Sequence, residues 1–228
     1  MNRITKQIIY GLIFIAVLGG LIIACVSSKT ENEIPVISVE SQRQNLQILS
    51  FNEVVSSTGL KSDYVIRVSN PNNSFGASMI KYSLETQKGK TYILPLEKKY
   101  IVIVNEKKRL QEKDFSIDEL VWVETNQKAS DDLLVQNKKY QDDENLVSAT
   151  IANNGDYDFL KVDINIILYN SNEEPVAVSY SELDNVLSRE KRSFETMWPQ
   201  SIDGDVANIY IQASSNVMDE SNIKIPSI

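Results

Sequence analysis

Two halves of this 228-residue chain carry the same series of short apolar segments in the same order, and that repeat restricts the fold more than any single motif. Val65-Ile66-Arg67-Val68-Ser69-Asn70 parallels Val147-Ser148-Ala149-Thr150-Ile151-Ala152-Asn153, each ending in an Asn-rich turn. Ile80-Lys81-Tyr82-Ser83-Leu84 then parallels Ile164-Asn165-Ile166-Ile167-Leu168. Leu94-Pro95-Leu96-Glu97-Lys98-Lys99-Tyr100 parallels Leu187-Ser188-Arg189-Glu190-Lys191-Arg192-Ser193-Phe194 with one extra residue. Each copy closes on a late strand, Leu120-Val121-Trp122-Val123 and Ile209-Tyr210-Ile211, and the second copy has a longer hairpin around residues 179–186. A period of roughly 85 residues is too long for a solenoid or propeller blade and suits two whole small domains.

The segments themselves predict strands. In Val162-Asp163-Ile164-Asn165-Ile166-Ile167-Leu168-Tyr169 the apolar Val162, Ile164, Ile166 and Leu168 share one face, the period-2 signature of a half-buried strand. Asn170-Ser171-Asn172 follows as a turn, and Pro175 begins the return strand. Residues 64–69, 100–104, 120–123, 147–152 and 209–213 have the same β-branched and aromatic bias. No long stretch after the N-terminus shows helical periodicity. The expectation is an all-β chain: two tandem immunoglobulin-like β-sandwich domains of about seven strands each, over residues 45–126 and 144–222. A charged linker over 127–143 joins them, and 223–228 form a tail.

The N-terminus sets the address. After Arg3 and Lys6, residues 8–26 are about 19 uncharged residues, close to the ~20 that span a bilayer as a helix. As a retained signal anchor, the segment 1–26 sends the remainder across the membrane, because the basic residues favour a cytoplasmic N-terminus. Alternatively, Ile22-Ile23-Ala24-Cys25 resembles a bacterial lipoprotein cleavage site, with Cys25 as the lipidated residue. Either way a polar linker, 27–44, tethers the domains outside the membrane.

The second copy has a family resemblance. Asn153, Ile166-Ile167-Leu168-Tyr169-Asn170, Leu187, Glu190, Phe194 and Trp198-Pro199 together resemble the bacterial FxLYD-type domain. Ile166 stands where the family motif has Phe and Asn170 where it has Asp, while Leu168 and Tyr169 match. In the first copy Tyr82-Ser83-Leu84 is the fainter equivalent. The resemblance implies a small Ig-like sandwich behind a membrane anchor, and brings no catalytic or ligand residues with it.

The composition narrows the chemistry. The chain has no histidine, so the commonest general base and metal ligand is missing, and Cys25 is its sole cysteine, which excludes an intramolecular disulfide or a thiolate zinc site. A net charge of −8 argues against nucleic acid as a partner. No paired glycosidase carboxylates, nucleophile elbow or phosphate loop is evident. No catalytic residue and no cofactor is therefore expected, and the chain reads as non-enzymatic. A carboxylate-based envelope enzyme would need a cleft with at least two carboxylates of displaced pKa.

What remains are surface candidates, each with a bland counterpart. Asp203-Gly204-Asp205, with Asn208 near, offers oxygen ligands of the kind calcium takes, and reads equally as a turn. Asp131-Asp132 and Asp142-Asp143-Glu144 read as an acidic cluster at a domain junction, or as a solvated linker. Lys98-Lys99, Lys107-Lys108-Arg109 and Arg189-Glu190-Lys191-Arg192 could face anionic polymer or lipid headgroups, or be polar strand tips. Trp122, Trp198, Tyr82, Tyr169 and Phe194 could form a recognition surface, or core. The leading expectation is a binding or scaffold module engaging an envelope protein, which requires an exposed apolar patch or an open strand edge. The alternative is a stalk or spacer, uniformly charged and without a pocket.

Overall fold

Because successive side chains of a strand point to opposite faces, these apolar segments bury one face each and pair through their backbones. The computed structural model describes residues 43–55, 60–127 and 132–225. The anchor or signal segment, Cys25 and nearly all of the 27–44 linker lie outside the described residues. Among the described residues no helix is long and apolar enough to cross a membrane.

The strands are β1 (Gln47–Val55), β2 (Ser62–Ser69), β3 (Phe75–Leu84), β4 (Gln87–Ile93), β5 (Lys98–Glu106), β6 (Phe115–Glu124), β7 (Leu133–Gln141), β8 (Leu146–Asn153), β9 (Asp158–Tyr169), β10 (Pro175–Val186), β11 (Lys191–Met197), β12 (Asn208–Ser214) and β13 (Ile223–Lys224). All pair antiparallel, in four small sheets: β1-β2-β5, β4-β3-β6, β11-β8-β7 and β10-β9-β12, with β13 also on β9. The first six strands and the next six thus have one and the same connection pattern. The register repeats as well. Val65 faces Val102 and Arg67 faces Tyr100 in the first half, where Ser148 faces Glu195 and Thr150 faces Ser193 in the second.

Each half closes its own core. Tyr64, Ile66 and Val68 of β2 meet Ile80 and Leu84 of β3, with Ile93, Ile101, Ile103 and Phe115. In the second half Val147, Ala149 and Ile151 of β8 meet Val162, Ile164, Ile166 and Leu168 of β9, with Phe159 and Phe194. A buried asparagine ends β2 and β8 alike. Asn70 Nδ2 donates to the carbonyls of Phe75 and Leu94 at 2.7 and 2.9 Å, and Asn153 Nδ2 donates to those of Tyr157 and Leu187 at 2.8 and 3.0 Å. The following turns match too. Leu94 N–H donates to Glu97 Oε2 and Leu187 N–H to Glu190 Oε2, both at 2.7 Å.

These turns force a residue into the left-handed region, Leu96 at φ 58° and Arg189 at φ 63°. An L side chain there is strained by roughly 1–2 kcal/mol, which glycine avoids. Leu96 is also exposed, so little packing is lost with its side chain. Leu96→Gly is expected to raise the urea midpoint, by a stability gain of up to about 1 kcal/mol once the unfolded chain's added freedom is discounted.

Three expectations need correction. The charged linker expected over 127–143 is mostly β7, an edge strand paired with β8 from Leu133↔Asn153 to Gln141↔Leu146. Its polar run Gln136-Asn137-Lys138-Lys139 reads as loop in sequence because an edge strand keeps one side in water, where lysines block further pairing. The halves have six principal strands among the described residues rather than about seven. The tail includes β13. The described strands cluster as one compact unit. The outer face of β1-β2-β5 is packed on the outer face of β9 and β10, through Val54, Val65 and Val102 against Ile167 and Val178.

Candidate functional site

At the seam between the halves, polar side chains of one half meet the backbone of the other. Its apolar centre is fully enclosed: Ile167 is 0% exposed and Val65 and Val178 are 1%. Around it, side chains of the second half satisfy the backbone of β5, the edge of the first half's sheet. Gln212 Oε1 accepts from Tyr100 N–H at 3.0 Å while its Nε2 donates to Lys98 O at 2.8 Å. Asn165 Nδ2 donates to Tyr100 O at 2.9 Å. Two amide side chains therefore stand in for a neighbouring strand, which removes the pairing hazard of an open edge. Further along, Tyr92 Oη donates to Ser214 Oγ at 3.1 Å and Asn216 Nδ2 to Ser78 O at 3.1 Å.

Lys99 is the least expected member. It leads into β5 and is buried, with Nζ 3.2 Å from the centroid of the Tyr92 ring and 3.9 Å from Asp163 Oδ2 of the second half. No hydrogen-bond partner reaches that Nζ. Burial lowers the Lys99 ammonium to about 8, against the opposing pull of Glu97 and Asp163. Burial likewise pushes the Glu97 carboxyl up, with Lys99 and the Leu94 N–H pulling the other way. Tyr92 is raised well above the ordinary tyrosine value, by burial first and then by the Asp163 charge. At the same register in the second half, the half-buried Arg192 instead forks onto Glu190 Oε1 at 2.7 and 3.2 Å and donates to the Asp184 and Asn185 carbonyls.

Two clefts flank the seam. One, of about 360 Å³, is lined by Tyr82, Gly89, Lys99, Tyr100, Asn165 and Tyr180 among others. The other, of about 280 Å³, is more apolar and runs along Val54, Val55, Val176, Met197, Trp198 and Pro199. Carboxylates with raised pKa do not converge in either: Asp63, held up by burial, lines the second cleft, whereas Glu97 lines a separate pocket with Leu94 and Leu96.

The residues singled out from sequence scatter. Asp203 and Asp205 are exposed on either side of Gly204, whose φ of 106° is that of a turn glycine. Asp132 and Asp142-Asp143-Glu144 stand at opposite ends of β7, roughly 30 Å apart at strand rise, so they form no cluster; Asp131 lies outside the described residues. Among the described residues no three acidic or cysteine side chains are grouped to hold a metal. The basic runs are divided too. Lys98-Lys99 and Lys107-Lys108-Arg109 lie at opposite ends of β5, with Lys108 paired to Glu85 and Arg109 near Glu53. Arg189 pairs with Asp156. Of the aromatics, Phe194 is buried and Trp198 packs on the second core with Nε1 donating to Val178 O. Trp122 and Tyr82 pack on the first core, and Tyr169 on the seam.

The seam has a sequence signal of its own, which no single motif reports. Tyr64-Val65-Ile66 in β2, residues 100–104 in β5 and Ile166-Ile167-Leu168 in β9 are continuous apolar runs, the mark of strands buried on both faces. Their counterparts Val147-Ser148-Ala149-Thr150-Ile151 and Ser193-Phe194-Glu195 alternate, as strands with one wet face do. Compared with known proteins, the chain matches no family model and no curated protein.

Proposed function

We propose that the chain is a membrane-anchored, externally displayed, non-enzymatic scaffold that binds another protein of the bacterial cell envelope, built from two immunoglobulin-like domains of the FxLYD type. The apolar N-terminal segment supports the anchor, and the repeated asparagine and Leu-x-x-Glu turns support the paired domains. The observation that carries the binding reading is the apolar cleft at the seam. There Met197 is 63% exposed and Val55 38%, next to the half-buried Trp198. Methionine and tryptophan side by side in a surface cleft are what a protein partner recognises.

The spacer reading is favoured by a different observation. Most strand edges are charged, with Lys88 and Lys90 on β4, Asp118 and Glu119 on β6, and Lys138 and Lys139 on β7. Strand addition by a partner is disfavoured at such edges, which leaves the seam cleft as the surface on which the two readings differ.

In-cell crosslinking of the full-length protein, followed by affinity purification, separates them. One envelope protein recovered in constant ratio, and reduced at least tenfold by Met197→Asp, is the expected result. Equal recovery with Met197→Asp, or nothing above background, leaves the spacer as the better account.

A further inference from the structure

Arg67 is a cation that the fold leaves without a counter-charge. It is half-buried on the outer face of β2, two residues beyond Val65 of the seam. Its guanidinium lies over the Tyr100 ring, with Cζ 5.4 Å from the centroid. Tyr210 of β12 packs on Tyr100 at 5.1 Å between centroids, and the Arg67 charge is felt at the Tyr169 and Tyr210 hydroxyls. Nε is buried and has no hydrogen-bond partner. Among the described residues no carboxylate lies within ion-pair distance of Arg67. Glu97, whose charge reaches Tyr210, is held instead by the Leu94 N–H and Lys99. One ring face recovers part of what a guanidinium loses on leaving water, and a carboxylate on its fork recovers more. Nor does the fold require the charge. The equivalent position in the second half is Thr150, whose Oγ1 is satisfied by Ser193 Oγ at 3.1 Å.

We propose that Arg67, framed by Tyr100, Tyr169 and Tyr210, is the receptor for a single carboxylate of a peptide chain. With Nε covered, the two terminal amino groups are the donors left to a ligand. Their parallel N–H bonds match the two oxygens of a carboxylate, and the Tyr100 ring fixes the plane of the fork. Burial first, and the neighbouring phenols next, hold Tyr169 and Tyr210 above the ordinary tyrosine value against the pull of Arg67. Both therefore keep, at neutral pH, an O–H able to donate to an anion. Lys98, two residues before Tyr100 on the same face of β5, adds a second positive charge. A polyanion or a phosphate dianion is a poorer match, because the site has one fork and the chain's net charge of −8 repels a highly charged ligand. Arginine and tyrosine together are also the residue types on which protein partners are most strongly held. The site does not rest on the scaffold reading, whose Met197 cleft is lined by other residues.

The test is nuclear magnetic resonance of the full-length, detergent-solubilised protein at neutral pH, with the isotope label on arginine Nε. The Arg67 Nε–H signal is the one missing from the spectrum of Arg67→Gln. The titrants, at constant ionic strength, are an end-blocked peptide with one glutamate, the same peptide with glutamine, an uncharged peptide with a free C-terminus, and inorganic phosphate. The Arg67 signal is expected to shift and saturate with a carboxylate peptide. The half-point should lie about tenfold or more below the concentration that moves Arg109, whose side chain is 75% exposed. Saturation by the glutamate peptide supports the site and assigns it to an acidic side chain; saturation by the free C-terminus supports it and assigns it to a chain end. Because the wild-type signal is the readout, a variant that fails to fold does not obscure the answer. An Arg67 signal that stays in place or moves in step with Arg109 overturns the proposal. So does one that responds equally to the glutamine peptide or saturates first with phosphate.

Discussion

Asn153→Ala is expected to lower stability by about 3–5 kcal/mol, read as a shift of the urea midpoint with little change in slope. The side chain is wholly buried and is the organising centre of the turn region at the end of β8. Besides the Tyr157 and Leu187 carbonyls, its Nδ2 reaches Val186 O at 3.4 Å, and its Oδ1 accepts from Gly155 N–H at 3.0 Å. Alanine takes the side-chain partner from the Tyr157 carbonyl and the buried Gly155 N–H at once, each at a cost of about 1–3 kcal/mol, while Leu187 O keeps the Glu190 N–H. Asn70→Ala should behave alike in the first half, where Oδ1 also accepts from the backbone N–H and the side-chain amide of Asn72. If both variants melt with the wild type, the asparagines do not organise the turns, and the physical basis for equating the two halves is lost.

That equivalence was legible because it rests on local chemistry. A buried asparagine, a Leu-x-x-Glu turn and an alternating strand each recur with their own residue types, and the register of β2 on β5 and β8 on β11 follows from them. The edge strand β7 was less legible, since exposure on one side gives it the composition of a loop. The seam lies further still from what a local pattern reports. Lys99 looks in sequence like one more basic residue in a polar turn. Only the packing of Tyr92 from β4 and of Asp163 from β9 makes it a buried group. Likewise Gln212 and Asn165 are ordinary polar positions on outward strand faces until the β5 backbone meets them. Asp203 and Asp205, by contrast, resemble cation ligands by spacing alone, and exposure at a turn accounts for them.

The second half also supplies the means of opening the seam without unfolding either sandwich. At the positions of Val65 and Val102 it carries Ser148 and Glu195, which its outer sheet face tolerates because that face is wet. Val65→Ser with Val102→Glu writes this face onto the first half, leaving the inward Tyr64, Ile66, Ile101 and Ile103 in place. Each valine withdrawn removes about 1.5–3 kcal/mol of burial, and the new carboxylate faces Ile167 and Val178 with no counter-charge demanded by the design, at a further cost of several kcal/mol, about 3 or more. The variant is then expected to show two transitions in calorimetry where the wild type shows one, and a larger maximum dimension in small-angle scattering as the halves separate. One transition and an unchanged dimension would mean that the side-chain bridges of Gln212 and Asn165, and not the valine packing, hold the seam. Two transitions would mean that the apolar contact couples two sandwiches each able to stand alone, and that the seam cleft exists only while that contact is closed.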